Sequence, residues 1–226
     1  LHALLLDNGI LTEIRTAAVG ALAAKLLAPK NIQTIGILGT GIQARYQLGM
    51  LPTVTACRNV LVWGRTAPKA EAFREEMAQK GWQVSIAETA DQLLETCELL
   101  VTTTCARDAL LSHTSIASRK TALHITCIGA DAPGKIELDP KLIAKADLLV
   151  ADTVQQAVER GEFQRAVADD LVDRTSIVSL GNLVNQVDLH RKEQDDPRIT
   201  IFDSSGVALQ DCVVSQMVYD ALRPSS

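Results

Sequence analysis

Several features that would place the chain in a familiar class are missing from its sequence. Lysine and arginine total 22 against 27 aspartates and glutamates, a net charge of −5, so no basic face for nucleic-acid phosphates is predicted. The longest apolar runs, Ala122–Ile128 and Ala146–Ala151, have the length of a strand and are too short to cross a bilayer. Residues 1–30 lack the pattern of a signal peptide. Nucleic acid and membrane are therefore not expected partners.

Paired metal-binding cysteines are also missing. The five cysteines are Cys57, Cys97, Cys105, Cys127 and Cys212, and none lies in a CxxC pair. His124 and Cys127 are three residues apart on a predicted strand, a spacing that directs them to opposite faces. We therefore predict no structural metal and a reduced, cytoplasmic location. Neither Tyr46 nor Tyr219 has a lysine four residues on, which argues against a short-chain dehydrogenase.

Between residues 31 and 151, apolar strand-like runs alternate with helical stretches. The runs are Thr34–Leu38, Asn59–Trp63, Gln83–Ala87, Leu99–Thr103, Ala122–Ile128 and Asp147–Ala151. Helical composition fills Ala67–Lys80 and Asp91–Cys97. Continuous apolar strands that alternate with amphipathic helices are typical of a parallel sheet buried on both faces. The pattern predicts an α/β fold with a Rossmann-type, doubly wound parallel sheet.

The two ends of the chain have a different pattern. The predicted elements there are a strand Leu4–Asp7, a turn Asn8-Gly9, a helix from about Thr12 (as N-cap) to Leu27, a strand Ile177–Leu180, a turn Asp195-Asp196-Pro197, a strand Ile199–Phe202 and a helix Gly206–Leu222. The chain opens inside what resembles an element of another domain.

A glycine-rich turn joins the first apolar run to the helical sequence behind it. The run ends in Gly39-x-Gly41-x-x-Ala44. Gly39 permits a tight turn, Gly41 lets the backbone approach a pyrophosphate, and Ala44 lets the helix pack on the strand. A turn that merely connects two packed elements is the alternative. The predicted dinucleotide-binding residues here are Gly39, Thr40, Gly41, Ile42 and Gln43.

The end of the second run bears on which dinucleotide is bound. Enzymes that use NAD usually have Asp or Glu there to bind the ribose 2′-hydroxyl, whereas this sequence has Trp63-Gly64-Arg65-Thr66. Arg65 and the Thr66 hydroxyl can hold a 2′-phosphate by charge-assisted hydrogen bonds. NADP(H) is therefore favoured, with NAD(H) possible and with Gly64, Arg65 and Thr66 as cofactor residues. In the alternative interpretation Arg65 is a solvated surface arginine.

Four further segments, taken together with the glycine-rich turn, resemble one family. They are residues 11–18 (LTEIRTAA), 101–104 (VTTT), 128–138 (IGADAPGKIEL) and 202–211 (FDSSGVALQD). In this order they resemble the ornithine cyclodeaminase/μ-crystallin family over nearly the whole chain. Gly64 and Arg65 resemble the NADP-using, μ-crystallin-like members more than the NAD-using cyclodeaminases.

The resemblance implies a Rossmann domain joined to a substrate and dimerisation domain. Residues 31–205 would form the NAD(P)-binding domain, and residues 1–30 and 206–226 would belong to the substrate and dimerisation domain. The resemblance also implies a homodimer. The family has a substantial segment before the position where this chain begins, so the chain is expected to lack further substrate-binding residues.

The resemblance also implies roles for individual residues. Asp131 resembles the family's catalytic acid/base; the alternative is a turn residue that caps residues 132–134. Arg15 resembles the arginine near the substrate carboxylate and the cofactor; the alternative is a solvated face of an Ala-rich helix. The resemblance implies that Thr103 and Thr104 lie along the nicotinamide ribose and that Ile128 backs the nicotinamide. Lys135 and Ser204 are the other implied cofactor residues, and Ser205 is implied to bind substrate.

Two classes of function follow. The first is an NAD(P)-dependent enzyme that acts at the Cα–N bond of a small amino acid or cyclic imino acid. Cyclodeaminase, alanine-dehydrogenase-like and ketimine-reductase activities are alternatives within it. Asp131 follows a strand end, where doubly wound folds bind ligands, and can take a proton from the substrate nitrogen. The second class is a crystallin-like protein that binds the cofactor without catalysis.

Overall fold

A sheet of eight parallel strands forms the centre of the fold, in a computed structural model that describes residues 5, 7–117, 119, 121–191 and 196–222. The strands follow the order β3-β2-β1-β4-β5-β8-β6-β7. Their bounds are β1 Ile35–Leu38, β2 Asn59–Trp63, β3 Gln83–Ile86, β4 Leu99–Thr102, β5 Leu123–Cys127, β6 Leu148–Ala151, β7 Val178–Ser179 and β8 Ile199–Asp203.

Helices follow most of the strands. Their bounds are α1 Ile10–Leu27, α2 Ile42–Met50, α3 Ala67–Gln79, α4 Asp91–Thr96, α5 Pro140–Ile143, α6 Val154–Glu159, α7 Gln164–Ala168, α8 Leu180–Asn185 and α9 Ala208–Leu222. Within the described ranges, no helix combines the length and the apolar character needed to cross a bilayer.

Both faces of the central strands are buried against helices. Ile37 belongs to a core that includes residues of α1, α2 and α3, whereas its neighbour Leu38 belongs to a core with residues of α4, α5, α6 and α7. Leu61 and Val62 divide in the same way on β2. Burial on both faces explains why the strands are continuously apolar rather than alternating.

The predicted α/β class and parallel sheet are confirmed, and each of the six predicted runs contains a strand. The two strands predicted in the C-terminal flank join this same sheet, so it has eight strands rather than six. β8 lies between β5 and β6, where Ile201 and Phe202 are completely buried on opposite faces. β7 is shorter than predicted because Leu180 begins α8, whose first turn is capped by the Ser179 hydroxyl.

The first helix begins earlier than the predicted N-cap at Thr12. It starts at Ile10, with Gly9 at the N-cap position. The Asp7 carboxylate accepts hydrogen bonds from the N–H groups of Gly9 (3.1 Å) and Leu11 (2.7 Å), which lower the pKa of Asp7. The first-turn donors are therefore satisfied before the chain reaches Thr12.

Three other end predictions differ or cannot be compared. Within the predicted strand at residues 4–7, residues 4 and 6 lie outside the described residues, and residues 5 and 7 are not in a strand. The C-terminal helix begins at Ala208 rather than Gly206, because Gly206 has a left-handed φ of 87°. In the predicted turn at 195–197, residue 195 lies outside the described residues.

Candidate dinucleotide and substrate site

The carboxyl ends of β1 and β4 lie side by side at the point where the strand order reverses. β1 pairs with β2 on one side and with β4 on the other. Open α/β sheets bind ligands in the crevice outside such strand ends. The turn after β1 and the segment after β4 therefore form a candidate binding cleft.

Gly39 ties three strand ends together at this point. Its φ of 109° lies in a region of backbone conformation that is strained for any residue with a side chain. Its N–H donates to the Trp63 carbonyl (2.8 Å). An added Cβ would lie 2.7 Å from Thr103 Oγ1. Thr103 in turn donates from its N–H (2.9 Å) and its hydroxyl (3.1 Å) to the Leu38 carbonyl. The requirement for glycine at position 39 is therefore both conformational and steric.

Gly41 leaves the N-terminus of α2 open. It is the N-cap residue of this nine-residue helix, no side chain caps the first turn, and an added Cβ would meet nothing within 4 Å. Unpaired N–H groups and the positive end of the helix dipole favour an anion at such a position. The geometry fits a pyrophosphate.

The cleft in front of this turn has a volume of about 400 Å³. It is lined by Gly39, Thr40, Gly41, Trp63, Gly64, Arg65, Thr66, Lys69, Thr103, Thr104, Cys105, Ala106 and Leu110. An adjoining hollow of about 540 Å³ shares Thr40, Gly41 and Lys69 and adds Ile42, Arg45 and Ala72. Nine of the predicted cofactor residues thus converge on one surface: Gly39, Thr40, Gly41, Ile42, Gly64, Arg65, Thr66, Thr103 and Thr104.

Two cations line the cleft. Arg65 and Lys69 are exposed, and neither side chain has a hydrogen-bond or ion-pair partner among the residues that the structure describes. Residues 63–69 contain no acid. Lys69 was missed in the sequence because it lies inside α3, and only the fold brings it beside Thr40 and Gly41.

Arg45 braces the glycine-rich turn, and sequence patterns gave no sign of it. Its guanidinium donates to the carbonyls of Thr40 (2.6 Å) and Gly41 (3.0 Å) and to Glu76 on α3 (2.6 Å). Hydrogen bonds from Lys80 and Arg45 lower the pKa of Glu76. The bridge from α2 to α3 fixes the turn carbonyls and leaves the helix N–H groups facing the cleft.

Asp131 lies on the loop after β5. Its side chain is 55% exposed and accepts a hydrogen bond from Lys135 Nζ at 2.5 Å, which raises the pKa of Lys135. The Gln164 side chain holds the loop, because it accepts from the Gly134 N–H (2.9 Å) and donates to the Lys135 carbonyl (2.8 Å). Among the described residues, the Asp131 carboxylate accepts no backbone hydrogen bond from the turn that follows it.

Arg15 is paired rather than solvated. Its side chain is 14% exposed and donates to Asp211 (3.0 Å) and Gln210 (3.3 Å) on α9. It also lies beside Gly206, whose added Cβ would be 3.4 Å from the guanidinium. Arg15 therefore joins α1 to the start of α9, and it does not line the cleft described above.

The remaining predicted residues lie outside that cleft. Ser204 donates to Asp152 and Ser205 to Asp203, each at 3.2 Å, and both serines are buried. Ile128 lies in the core beneath the strand ends, and the Gln43 side chain donates to Glu13 on α1. Roles for these four residues stay predictions.

The parallel sheet and its strand order define a Rossmann-type α/β protein. The chain belongs to the ornithine cyclodeaminase/mu-crystallin family, which it matches over residues 1–226. It is 36% identical to an uncharacterized cyclodeaminase of Sinorhizobium fredii over 227 residues, which cover 100% of this chain and 67% of the relative.

Two solved structures are similar in fold and sequence. An archaeal alanine dehydrogenase dimer with bound NAD has a TM-score of 0.85 and 34% identity, over 95% of this chain and 65% of that one. The iminosuccinate reductase of Paracoccus denitrificans, in complex with NAD+, has a TM-score of 0.82 and 32% identity, over 94% and 64%. The chain thus spans about two thirds of the length of the relatives it matches.

Proposed function

We propose that the protein is an NAD(P)-dependent enzyme that acts at the α-carbon of a small amino acid or cyclic imino acid. One observation carries the proposal: the glycine-rich turn after β1 and the Asp131–Lys135 pair after β5 meet the same edge of the sheet. The segment after β4 lies between them and touches both, through Gly39 and Gly129. The two similar solved structures are named for an amino acid and an imino acid, which supports this substrate class.

The cleft residues fit the cofactor. The open N-terminus of α2 would hold the pyrophosphate, and Thr103 and Thr104 would line the side toward β5. When bound, the nicotinamide would accept or supply the hydride at the substrate α-carbon.

Asp131 is the proposed acid/base. The exposed Asp131–Lys135 ion pair contributes little to stability, on the order of 0–1 kcal/mol. The proposal therefore depends on the position of Asp131 at the carboxyl edge of the sheet, not on the strength of this ion pair. The carboxylate would take a proton from the substrate nitrogen in the oxidative direction and return it in the reductive direction. Arg15, oriented by Asp211, would bind the substrate carboxylate.

NADP(H) is the proposed cofactor, although the similar solved structures hold NAD. Arg65 and Lys69, which are unpaired among the described residues, line a cleft that has no carboxylate among its lining residues. Such a pair favours the ribose 2′-phosphate over the 2′-hydroxyl.

We also propose a homodimer. The archaeal alanine dehydrogenase is named as a dimer, and α9 exposes Leu209, Val213 and Met217 along one side. Spacing of four residues puts such side chains on the same helix face. A cytoplasmic location stays a prediction from the free cysteines.

The full-length protein tests the reaction class by spectrophotometry. Net change in NAD(P)H with alanine or a cyclic imine supports the redox activities, and ammonia release from ornithine without net change supports cyclodeamination. Asp131→Asn is expected to lower kcat by at least about 10²-fold and to leave the cofactor dissociation constant unchanged. The exposed Asp108→Asn variant, on the loop after β4, is the control.

Two outcomes would contradict parts of this proposal. Cofactor binding without turnover of any of these substrates would contradict the enzyme proposal and support the non-catalytic alternative. Full activity of Asp131→Asn would remove Asp131 from the acid/base role.

A further inference from the structure

A completely buried carboxylate lies behind the wall of the cleft. Glu137, at the end of the loop after β5, accepts three hydrogen bonds. The donors are the Thr102 hydroxyl (2.6 Å), the Thr104 N–H (2.6 Å) and the Gly129 N–H (3.1 Å). These groups belong to the ends of β4 and β5, so one side chain joins the end of β4, whose Thr103 and Thr104 line the cleft, to the neighbouring end of β5.

The close approach depends on Gly129. An added Cβ there would lie 2.1 Å from the Thr104 carbonyl oxygen and 2.5 Å from Glu137 Oε2. Such distances are far inside van der Waals contact, so any side chain at position 129 would push the two segments apart. Glycine at position 129 therefore permits the close approach of the two segments, and the Glu137 carboxylate bonds to both of them.

Glu137 has a second buried carboxyl group beside it, and the two groups have different hydrogen-bond partners. Glu162 is also completely buried; its Oε1 accepts from the N–H groups of Glu137 (2.9 Å) and Leu138 (2.7 Å), whereas its Oε2 has no partner among the described residues. Burial, followed by the charge of Glu137, raises the pKa of Glu162. Burial also raises the pKa of Glu137, but its three donors oppose that rise and stabilise the ionised form.

We propose that Glu137 is a positioning residue for the nicotinamide half of the cofactor. Its carboxylate fixes the backbone of Thr104 relative to Gly129, and thereby the wall past which the nicotinamide ribose would lie. It acts through these residues and touches neither cofactor nor substrate. The inference rests on the proposed function, because it requires a dinucleotide in the cleft.

The adenosine half of the cleft is built separately. Arg65 and Lys69 follow β2, and Gly64 packs on Thr40, where an added Cβ would be 2.8 Å from Thr40 Cγ2. Glu137 has no hydrogen bond to any of these residues. The two halves can therefore be measured independently with whole and partial ligands.

The test is the variant Glu137→Gln, studied by isothermal titration calorimetry. The glutamine amide has the size of the glutamate carboxylate, but its NH₂ group cannot accept a hydrogen bond. At least one of the three groups that donate to Glu137 therefore loses its acceptor. An unpaired buried donor is costly, so the Thr104 backbone is expected to shift away from the amide. Because Thr104 lines the cleft, we expect the dissociation constant of NADPH to rise by at least about 10-fold. That of 2′,5′-ADP, the adenosine half, is expected to stay within about 2-fold. If the wild type prefers NADH, NADH and AMP replace these ligands.

A matched control lies at the opposite edge of the sheet. Glu98 also accepts two backbone N–H groups, those of Gln33 and Thr34, each at 3.0 Å. Glu98→Gln is expected to change neither dissociation constant. Thr102→Val removes only one donor to Glu137 and keeps the shape of the side chain, so it serves if Glu137→Gln does not fold. It should weaken NADPH binding by about 2- to 5-fold without an effect on 2′,5′-ADP.

The outcomes separate this inference from the proposed function. Equal losses for NADPH and 2′,5′-ADP, or no loss for either, would overturn the positioning role of Glu137. A wild-type protein that binds neither NADPH nor NADH would instead overturn the proposed function.

Discussion

At the scale of single residues, the cations around the cleft differ in whether they have hydrogen-bond or ion-pair partners. Arg45 is fully engaged by the turn carbonyls and Glu76, whereas Arg65 and Lys69 are unpaired among the described residues. Arg45 therefore holds the glycine-rich turn, whereas Arg65 and Lys69 are free to bind a ligand in the cleft that they line. This difference is what makes Arg65 a candidate ligand for phosphate rather than a brace.

Arg65→Ala therefore has a selective expected effect. Loss of a charge-assisted hydrogen bond should raise the dissociation constant of NADPH by about 10- to 100-fold and that of NADH by no more than about 2-fold. Fluorescence titration of the bound dinucleotides measures both. Arg74→Ala is the control, because Arg74 lies on α3 but pairs with Glu71 away from the cleft. Equal weakening of NADPH and NADH by Arg65→Ala would contradict the assignment of the 2′-phosphate to Arg65.

At the scale of elements, α1 is packed closely against α2 through small residues. Gly20 on α1 faces Gln47 on α2, and an added Cβ would lie 2.2 Å from Gln47 Oε1. Gln47 is buried and donates to the Thr16 carbonyl (3.1 Å), so its side chain is not free to move aside. The position of α1 matters for the site, because α1 carries Arg15.

Two helical glycines provide a matched pair of variants. Gly49→Ala on α2 meets nothing within 4 Å and should raise the free energy of unfolding by about 0.5–1 kcal/mol, the helix preference of alanine. Gly20→Ala gains the same preference but collides with Gln47, and should lower the free energy of unfolding by about 1–3 kcal/mol. Urea unfolding of both variants measures the difference. Equal stabilisation by the two would contradict the described α1–α2 packing.

How far the sequence predicts the elements depends on the range of the interactions that form them. Five of the six apolar runs form strands that are buried on both faces, which leaves a local apolar pattern, whereas the edge strand β3 is largely exposed. The glycine-rich turn is a local pattern as well. The start of α1 depends on the Asp7 side chain, which competes with Thr12 as the cap. The place of β8 between β5 and β6 depends on pairing between distant segments, which a single sequence does not record.

The same distinction applies to the site. Arg65 and Asp131 follow predicted strands directly, so they can be singled out from the sequence. Lys69 and Arg45 have the local pattern of ordinary helix residues, and their part in the site depends on contacts with distant segments. Glu137 lies within the segment 128–138, but its donors Thr102 and Thr104 are distant in sequence, so no role could be predicted for it.

At the scale of the whole molecule, buried acids make stability depend on pH. The pKa values of Glu162 and Asp203 are raised well above their usual 4.5 and 3.8, first by burial, so the folded protein keeps protons that the unfolded chain releases. Their contribution to stability is therefore complete below those usual values. It decreases as the pH rises from there toward the folded-state pKa values.

Glu162→Gln tests this dependence. The neutral amide cannot ionise, so the variant should lose the part of the pH dependence due to Glu162, about 1.4 kcal/mol per pH unit between the two pKa values. Urea unfolding at several pH values between about 5 and 9 measures the slope. The exposed Glu159→Gln on α6 is expected to keep the wild-type slope. An unchanged slope in Glu162→Gln would show that Glu162 is ionised in the folded protein.

Isotope transfer tests the proposed hydride transfer at the α-carbon. The full-length protein would be incubated with a cyclic imino acid, or with pyruvate and ammonia, and NADPH deuterated at the nicotinamide C4 position. We expect deuterium at the α-carbon of the amino-acid product, from one face of the nicotinamide, and incorporation slower by at least about 10²-fold with Asp131→Asn. Oxidation of the nicotinamide without deuterium at the α-carbon would contradict it.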